Sequence, residues 1–431
     1  MMGRSARAAS EAEVADTAPT VRLSTPELVS MVAALMSLNA LAIDVMLPAL
    51  GAVASDLGVT NPNDQQLVVV AYVLGFGFPQ LVFGPLADRF GRRPVLAVAI
   101  VGYTVSGFAC MAAPTFGALL ALRFVDGVFA AGCRVIAVTL VRDLFAGRNM
   151  AKVMSLVMTV FMIVPVIAPA IGQGVLFIAP WQWCFGVLGF AGVAMMAWAG
   201  LRLPETLPVE RRRSLGIRQA AGSYLQVIKS RPTLGYMLAG GVIFGALFAF
   251  LSASEQIFRE IFHEGDSFAL WFAGVATVLA ATNFANSRLV MRFGMRRLSH
   301  VALVGFTVVA AALFGLTLIY GDHLALFYPL FAICFALFGL LGANFNALAM
   351  EPLGRIAGTG SAAYGFATTT LSAAVGGVIG RAYDGTTRPL LFGFVALGVT
   401  CLVIVAITER GRLFDRASPA SPALGTKPEG P

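Results

Sequence analysis

Charge is what this chain has least of. Asp, Glu, Lys and Arg make up 12% of its 431 residues and apolar residues 58%, whereas soluble domains carry about 25% charge. Too little polar surface is left to cover a water-soluble globule, and the mean hydropathy of +0.82 says the same. Soluble enzymes, disordered proteins and disulfide scaffolds are excluded. Histidine is nearly absent: His263, His300 and His323 do not pair at helical spacing, so no metal site is expected. The cysteines (Cys110, Cys133, Cys184, Cys334, Cys401) are scattered through apolar stretches without ligand or disulfide spacing, and read as small core residues. No Gly-x-x-x-x-Gly-Lys-Ser/Thr loop exists to bind a nucleotide, and no Gly-x-Ser-x-Gly turn or His–Ser–Asp set supports covalent catalysis. Neither an enzyme nor a cofactor-bearing protein is expected.

What the chain has instead is long apolar runs. A spanning helix needs about 20 such residues to cross about 30 Å of hydrocarbon. Twelve segments qualify: 28–52, 66–87, 95–113, 116–139, 152–176 and 183–203, then 234–255, 268–290, 299–320, 324–347, 358–380 and 389–408. The expected fold is an all-α polytopic membrane protein. Ser24 as N-cap, Pro26 in the first turn and Glu27 three residues on mark the start of the first helix. Residues 1–27 and 409–431 read as disordered cytoplasmic tails, the former with no apolar run of the kind a cleaved leader has.

The net charge of +8 belongs to loops rather than to a nucleic-acid surface. Of the 30 Lys and Arg, only Arg259, Arg381 and Arg388 fall on the side opposite the termini, and Arg123 and Arg134 fall inside a span; the other 25 share the side of the termini. That asymmetry places both termini in the cytoplasm. The basic linker 204–233, containing Arg211, Arg212 and Arg213, separates two six-span halves, 28–203 and 234–408. Each half carries a basic turn after its second span, Arg89-Phe90-Gly91-Arg92-Arg93 and Arg292-Phe293-Gly294-Met295-Arg296-Arg297, offset by 203 residues. Repeated halves point to a transporter with its site between them. A channel or an array predicts neither the period nor the turns.

The stretch Gly84-Pro85-Leu86-Ala87-Asp88-Arg89-Phe90-Gly91-Arg92-Arg93-Pro94 resembles the signature turn of the major facilitator superfamily. Gly84 is expected to let two helices approach, and Asp88 to sit near a helix N-terminus where the dipole favours an anion. The resemblance implies a cytoplasmic gate of Gly84, Asp88, Arg89, Gly91, Arg92, Arg93 and Arg142, with Asp88 central. Ile43-Asp44-Val45-Met46-Leu47-Pro48-Ala49-Leu50 resembles the first-span signature of the bicyclomycin and chloramphenicol exporters, the Bcr/CflA branch of drug:proton antiporters. Leu122-Arg123-Phe124-Val125-Asp126-Gly127, continuing to Val141-Arg142-Asp143, resembles the fourth-span motif of proton-coupled members, with Asp126 where Gln is more usual. Pro165, Pro169, Gly172 and Gly174 resemble a helix-bending antiporter motif, in which Pro removes a backbone donor and Gly permits close packing. Met350-Glu351-Pro352-Leu353-Gly354 and Ala357-Gly358-Thr359 also look like this branch. The fold so implied is the major facilitator fold, in a bacterial inner membrane and as a monomer.

Charges inside the membrane cost at least about 2.5–3.5 kcal/mol each, so they persist where they meet a wet cavity or a partner. At about 1.5 Å per residue, Asp44 and Arg123 lie at similar depth on the first and fourth spans, with Asp126 one turn deeper on the same face as Arg123. The expectation is one cluster of Asp44, Arg123 and Asp126 that exchanges a proton for substrate; a purely structural Asp–Arg pair is the alternative. Arg134, close to the cytoplasmic end of its span, is expected to snorkel as an anchor or gate contact. Glu255 is expected to be solvated near the outer interface. Tyr72, Phe76, Met158, Phe161 and Met162 are candidates for an adaptable greasy wall. Asn283, Asn286, Ser287, Asn344 and Asn346 are candidates to line the cavity from the second half, or to join helices. Three functions remain open: proton-coupled export of small, fairly apolar drugs, export of one metabolite (a sugar, amino-acid derivative or siderophore), and a non-transporting membrane sensor. Protons, a small molecule and membrane lipid are the expected partners, with no nucleic acid.

Overall fold

The computed structural model describes residues 23–145, 147–212 and 217–414. Arg213 and most of the two expected tails lie outside these residues. Within them every regular element is a helix. Eleven helices are long and apolar enough to cross a membrane alone, and a twelfth crossing is the pair Pro62–Gly77 and Gln80–Phe90, bent by 42°. In chain order the spans are Thr25–Asp56, that bent pair, Arg92–Met111, Phe116–Leu144, Lys152–Ile178 and Gln182–Arg202, then Arg231–Glu260, Phe268–Phe293, Met295–Tyr320, Leu324–Gly354, Gly358–Arg381 and Arg388–Thr408. The foreseen start of the first span is present: Glu27 N donates to Ser24 Oγ at 3.3 Å. Inside the linker, Ile217–Lys229 forms a helix of its own.

The halves repeat in packing as they do in sequence. In the first, the fourth span packs against the first, second and third, and the third against the sixth. In the second, the tenth packs against the seventh, eighth and ninth, and the ninth against the twelfth. Two seams join the halves, the second span on the eleventh and the fifth on the eighth. The described chain begins and ends on one face, called here the terminus-bearing face.

Where the spans bend follows from proline chemistry. Pro48 has no N–H for the carbonyl of Asp44, so the first span breaks after Thr25–Asp44 into a 3-10 turn, Leu47–Ala49, before resuming as Leu50–Asp56. Pro79 marks the bend of the second span, and Pro165 lies where the fifth breaks between Gly147–Phe161 and Val164–Ile178. Pro165 thus stands beside that break, and Pro169 lies inside the helix that follows it. Gly172 then brings the fifth span backbone to backbone with the first, since a Cβ there would overlap the Val45 carbonyl.

Two expectations need correction. Gly84 is no helix contact, because a Cβ there would meet no atom within 4 Å. Glu255 is not solvated: the seventh span runs on to Glu260, so Glu255 is buried and ion-paired with Arg259 one turn later at 2.6 Å.

At Gly127 a Cβ would overlap the Tyr72 carbonyl across the seam of the second and fourth spans, whereas Gly174 has nothing nearby. Gly127→Val is therefore expected to lower the thermal midpoint of the detergent-purified protein, with overpacking costing about 1–3 kcal/mol. Gly174→Ala is expected to leave it unchanged.

Candidate functional site

Between the halves lies a cavity of about 1090 Å³. It runs from Asp44, Val73 and Phe272 at mid-depth to Asp88, Arg142 and Thr359 on the terminus-bearing face. Four of the broken spans supply walls: Asp44 beside the first break, Phe76 before the second, Phe161, Met162 and Pro165 at the fifth, and Gly339 and Gly342 flanking the tenth. Met158, Asn283 and Asn346 also line it.

The expected cluster of Asp44, Arg123 and Asp126 is divided. Asp44 faces the cavity and has no ion pair among the described residues. Arg123 and Asp126 are wholly buried outside the cavity wall and paired with each other at 2.5 Å. Arg123 Nη2 also donates to the Ala42 carbonyl at 2.7 Å, and Ser106 Oγ donates to the other oxygen of Asp126 at 3.2 Å. The guanidinium sits 4.4 Å from the centre of the Tyr72 ring and 5.5 Å from that of Phe185. Arg123 thus ties the fourth span to the first through a backbone carbonyl rather than through Asp44. Ala42 lies in the last turn of its helix, whose carbonyls run short of intrahelical donors, a detail that depth arithmetic does not carry.

Tyr72 is likewise a buried support, packed under Arg123, with its hydroxyl donating to Asn39 at 3.0 Å. Asn344 is buried and donates to Asn286 at 2.9 Å, joining the tenth span to the eighth instead of lining the cavity. Ser287 caps nothing in the cavity and donates to its own helix at Phe284. Arg134 departs most from expectation. It faces the cavity and lies 5.6 Å from the Phe76 ring centre. Side chains on a helix tilt toward its N-terminus, so on this descending span Arg134 aims back into the protein and does not snorkel outward.

The basic turn on the terminus-bearing face is a compact network. Arg92 bridges Asp88 at 2.6 Å and Asp143 at 2.8 Å. The anion at the N-terminus of the third span is not Asp88, which occupies the last turn of its own helix, but Glu205. It accepts from the backbone N–H of Arg92 at 2.9 Å and of Arg93 at 3.2 Å. Gly91 takes φ +100°, and a Cβ there would meet Glu205 at 2.5 Å. Arg93 donates to the Gly200 carbonyl at 2.7 Å, and Arg89 lies over Phe90. Arg142 stands at the mouth, 3.3 Å from where Gly358 of the eleventh span would carry a Cβ. The repeat returns in the second half, where Gly294 takes φ +80° and Arg296 pairs with Glu351 at 3.2 Å and Glu409 at 3.5 Å.

On the opposite face the halves are closed by contacts that motif reading missed. Arg381 pairs with Asp64 at 2.7 Å, and Asn63 donates to the carbonyls of Arg381 at 3.0 Å and Tyr383 at 2.7 Å. Behind them Gln66 donates to Gln256 at 3.4 Å. Burial beside Glu260 raises the Tyr383 phenol, which therefore stays protonated and donates to that carboxylate. The signal was available: Arg381 is one of three basic residues on the sparsely charged side.

A cavity between repeated halves, open on one face and latched on the other, is the geometry of alternating access. A model of the Major Facilitator Superfamily matches residues 32–377. The chain belongs to that superfamily. It is 31% identical over 372 residues to a bicyclomycin resistance protein homolog of Haemophilus influenzae, covering 84% of this chain and 90% of that one. It is 29% identical to the multidrug resistance protein MdtL of Escherichia coli over 66% of this chain and 75% of the relative. A D-xylose-proton symporter structure superposes with TM-score 0.67 at 14% identity, over 87% of this chain and 95% of that one, and shows the shared fold. These relatives fit the Bcr/CflA branch. This major facilitator protein is a transporter, not an enzyme.

Removing one partner of the Arg123–Asp126 pair strands a buried charge, at about 3–5 kcal/mol. Asp126→Leu alone is expected to lower the thermal midpoint sharply, and Arg123→Met with Asp126→Leu to recover most of the loss.

Proposed function

We propose that this chain exports small, fairly apolar compounds of the drug type from the bacterial cytoplasm in exchange for protons. The observation that carries the reading is Asp44: a carboxylate without an ion pair among the described residues, facing a cavity walled by Phe76, Met158, Phe161 and Phe335. An ionised carboxylate there is costly, and either a proton or the favourable part of a substrate relieves it. Competition between the two for one group is the minimal chemistry of antiport. The names of the bicyclomycin- and multidrug-resistance relatives support the drug class.

In this reading the terminus-bearing face is cytoplasmic, as the basic loops require, and the conformation is inward-open. The halves 28–203 and 234–408 rock as units across the two seams, with the linker 204–233 between them. The Asp88–Arg92–Asp143 network and Arg142 close the mouth when the Asp64–Arg381 latch parts. Arg123 and Asp126 hold the first span in register so that Asp44 meets the cavity. The protein acts as a monomer in the inner membrane, with protons as the only coupling species.

The test is substrate-evoked proton movement in vesicles with an imposed pH gradient, using chloramphenicol-like, cationic and sulfonamide compounds. Asp44→Asn is expected to reduce the response by at least about tenfold, while its thermal midpoint stays near wild type. A full response in that variant would overturn the assignment of Asp44.

A second expectation concerns the latch. Cysteines at Asp64 and Arg381, cross-linked by an oxidant, should abolish transport reversibly. Transport that persists with the cross-link formed would show that this face need not open.

A further inference from the structure

Among the described residues, the charged side chains that line the cavity come from the first half: Asp44, Asp88, Arg92, Arg134, Arg142 and Asp143. The second half contributes Phe244, Phe248, Phe272, Phe335 and Phe338, with Asn283 and Asn346 as its amides. At the mouth Arg92 holds both Asp88 and Asp143, while Arg142 has no ion pair among the described residues. Deeper in, two charges stand apart: the anion Asp44, and the cation Arg134. Arg134 is solvent-exposed within the cavity, and among the described residues it has no carboxylate partner and no hydrogen bond. The centre of the Phe76 ring lies 5.6 Å from its guanidinium carbon. A guanidinium laid against an aromatic face keeps its in-plane donors free for a planar two-oxygen acceptor.

We infer that Arg134 is a recognition site for an acidic group on the substrate, and that the cavity takes amphiphiles whose acid binds Arg134 and whose flat apolar body lies against the phenylalanines of the second half. The Phe76 ring backs the guanidinium, and a carboxylate or sulfonate approaching from the cavity can meet two of its N–H groups at once. This rests on the transport reading of the cavity and narrows its substrate class. It also separates the two deeper charges by task, with Asp44 exchanging the proton and Arg134 selecting the cargo.

The test is equilibrium binding to the full-length protein in a neutral detergent. The probes are planar aromatic acids (nalidixate, 1-naphthoate and biphenyl-4-carboxylate), each paired with its uncharged carboxamide. At least one acid is expected to bind about tenfold more tightly than its amide, with R134Q bringing the pair to equal affinity and R134K retaining part of the preference. R134K guards against a folding defect, and the unliganded thermal midpoint of each variant is read alongside. A panel in which no acid outperforms its amide overturns the inference, as does an acid preference that survives in R134Q. Either result leaves Asp44-dependent proton exchange standing. Conversely, an Arg134-dependent acid preference in a protein that moves no protons would sink the antiporter reading and keep the site.

Discussion

Hydrocarbon offers no hydrogen bonds, so every backbone N–H and C=O in a span must find its partner inside the protein. That constraint forces helices, and it also decides where helices are allowed to stop. Pro48, Pro79 and Pro165 each withdraw a donor in mid-membrane, and each does so beside the cavity or beside another span rather than toward lipid. The helix ends are then used. Arg123 takes the Ala42 carbonyl at the end of the first helix, just before the Pro48 break. The break, the cavity and the buried cation thus lie together: Arg123 joins the end of the first helix to the fourth span just before the chain unwinds beside Asp44.

The same accounting separates the intramembrane charges into two kinds. Arg123 and Asp126 are neutralised by each other, by Ser106 and by ring faces, and have no opening to water. They set geometry. Asp44 and Arg134 face the cavity without ion partners, so their charge is available to whatever enters. The difference is one of surroundings rather than residue type, and it divides the carboxylates of the expected cluster into a support and a working group.

The spans, their number, the repeat and the basic turns were legible in the sequence because each follows from local composition and period. Ser24 capping the first helix was legible for the same reason. What was not legible depends on side-chain direction and on fine depth. Asp44 and Arg123 do lie at one level, yet Arg123 turns to a carbonyl; Tyr72 and Asn344 lie on the right spans, yet point into helix contacts. The direction of Arg134 was not legible, because distance from the membrane edge does not include the tilt of side chains toward a helix N-terminus. Glu205 went unnoticed because its role, holding the start of the third span, joins residues more than a hundred apart.

The two faces also differ in what holds them, and this bears on how the protein moves. The Arg381 side chain of the latch is 51% exposed, so its pair with Asp64 is worth at most about 1 kcal/mol. The hydrogen bonds of Asn63 and Gln66 add to it only modestly, since water competes for them when the halves part. On the terminus-bearing face the strong ion pairs among the described residues lie within one half, and Arg142 stands close to the other half across the mouth. Neither closure is therefore deep. A transporter needs its two conformations within a few kcal/mol of each other, because a ligand shifts such an equilibrium only by its differential affinity. With weak latches on a rigid repeated frame, protonation of one carboxylate or capture of one substrate is enough to decide which face opens.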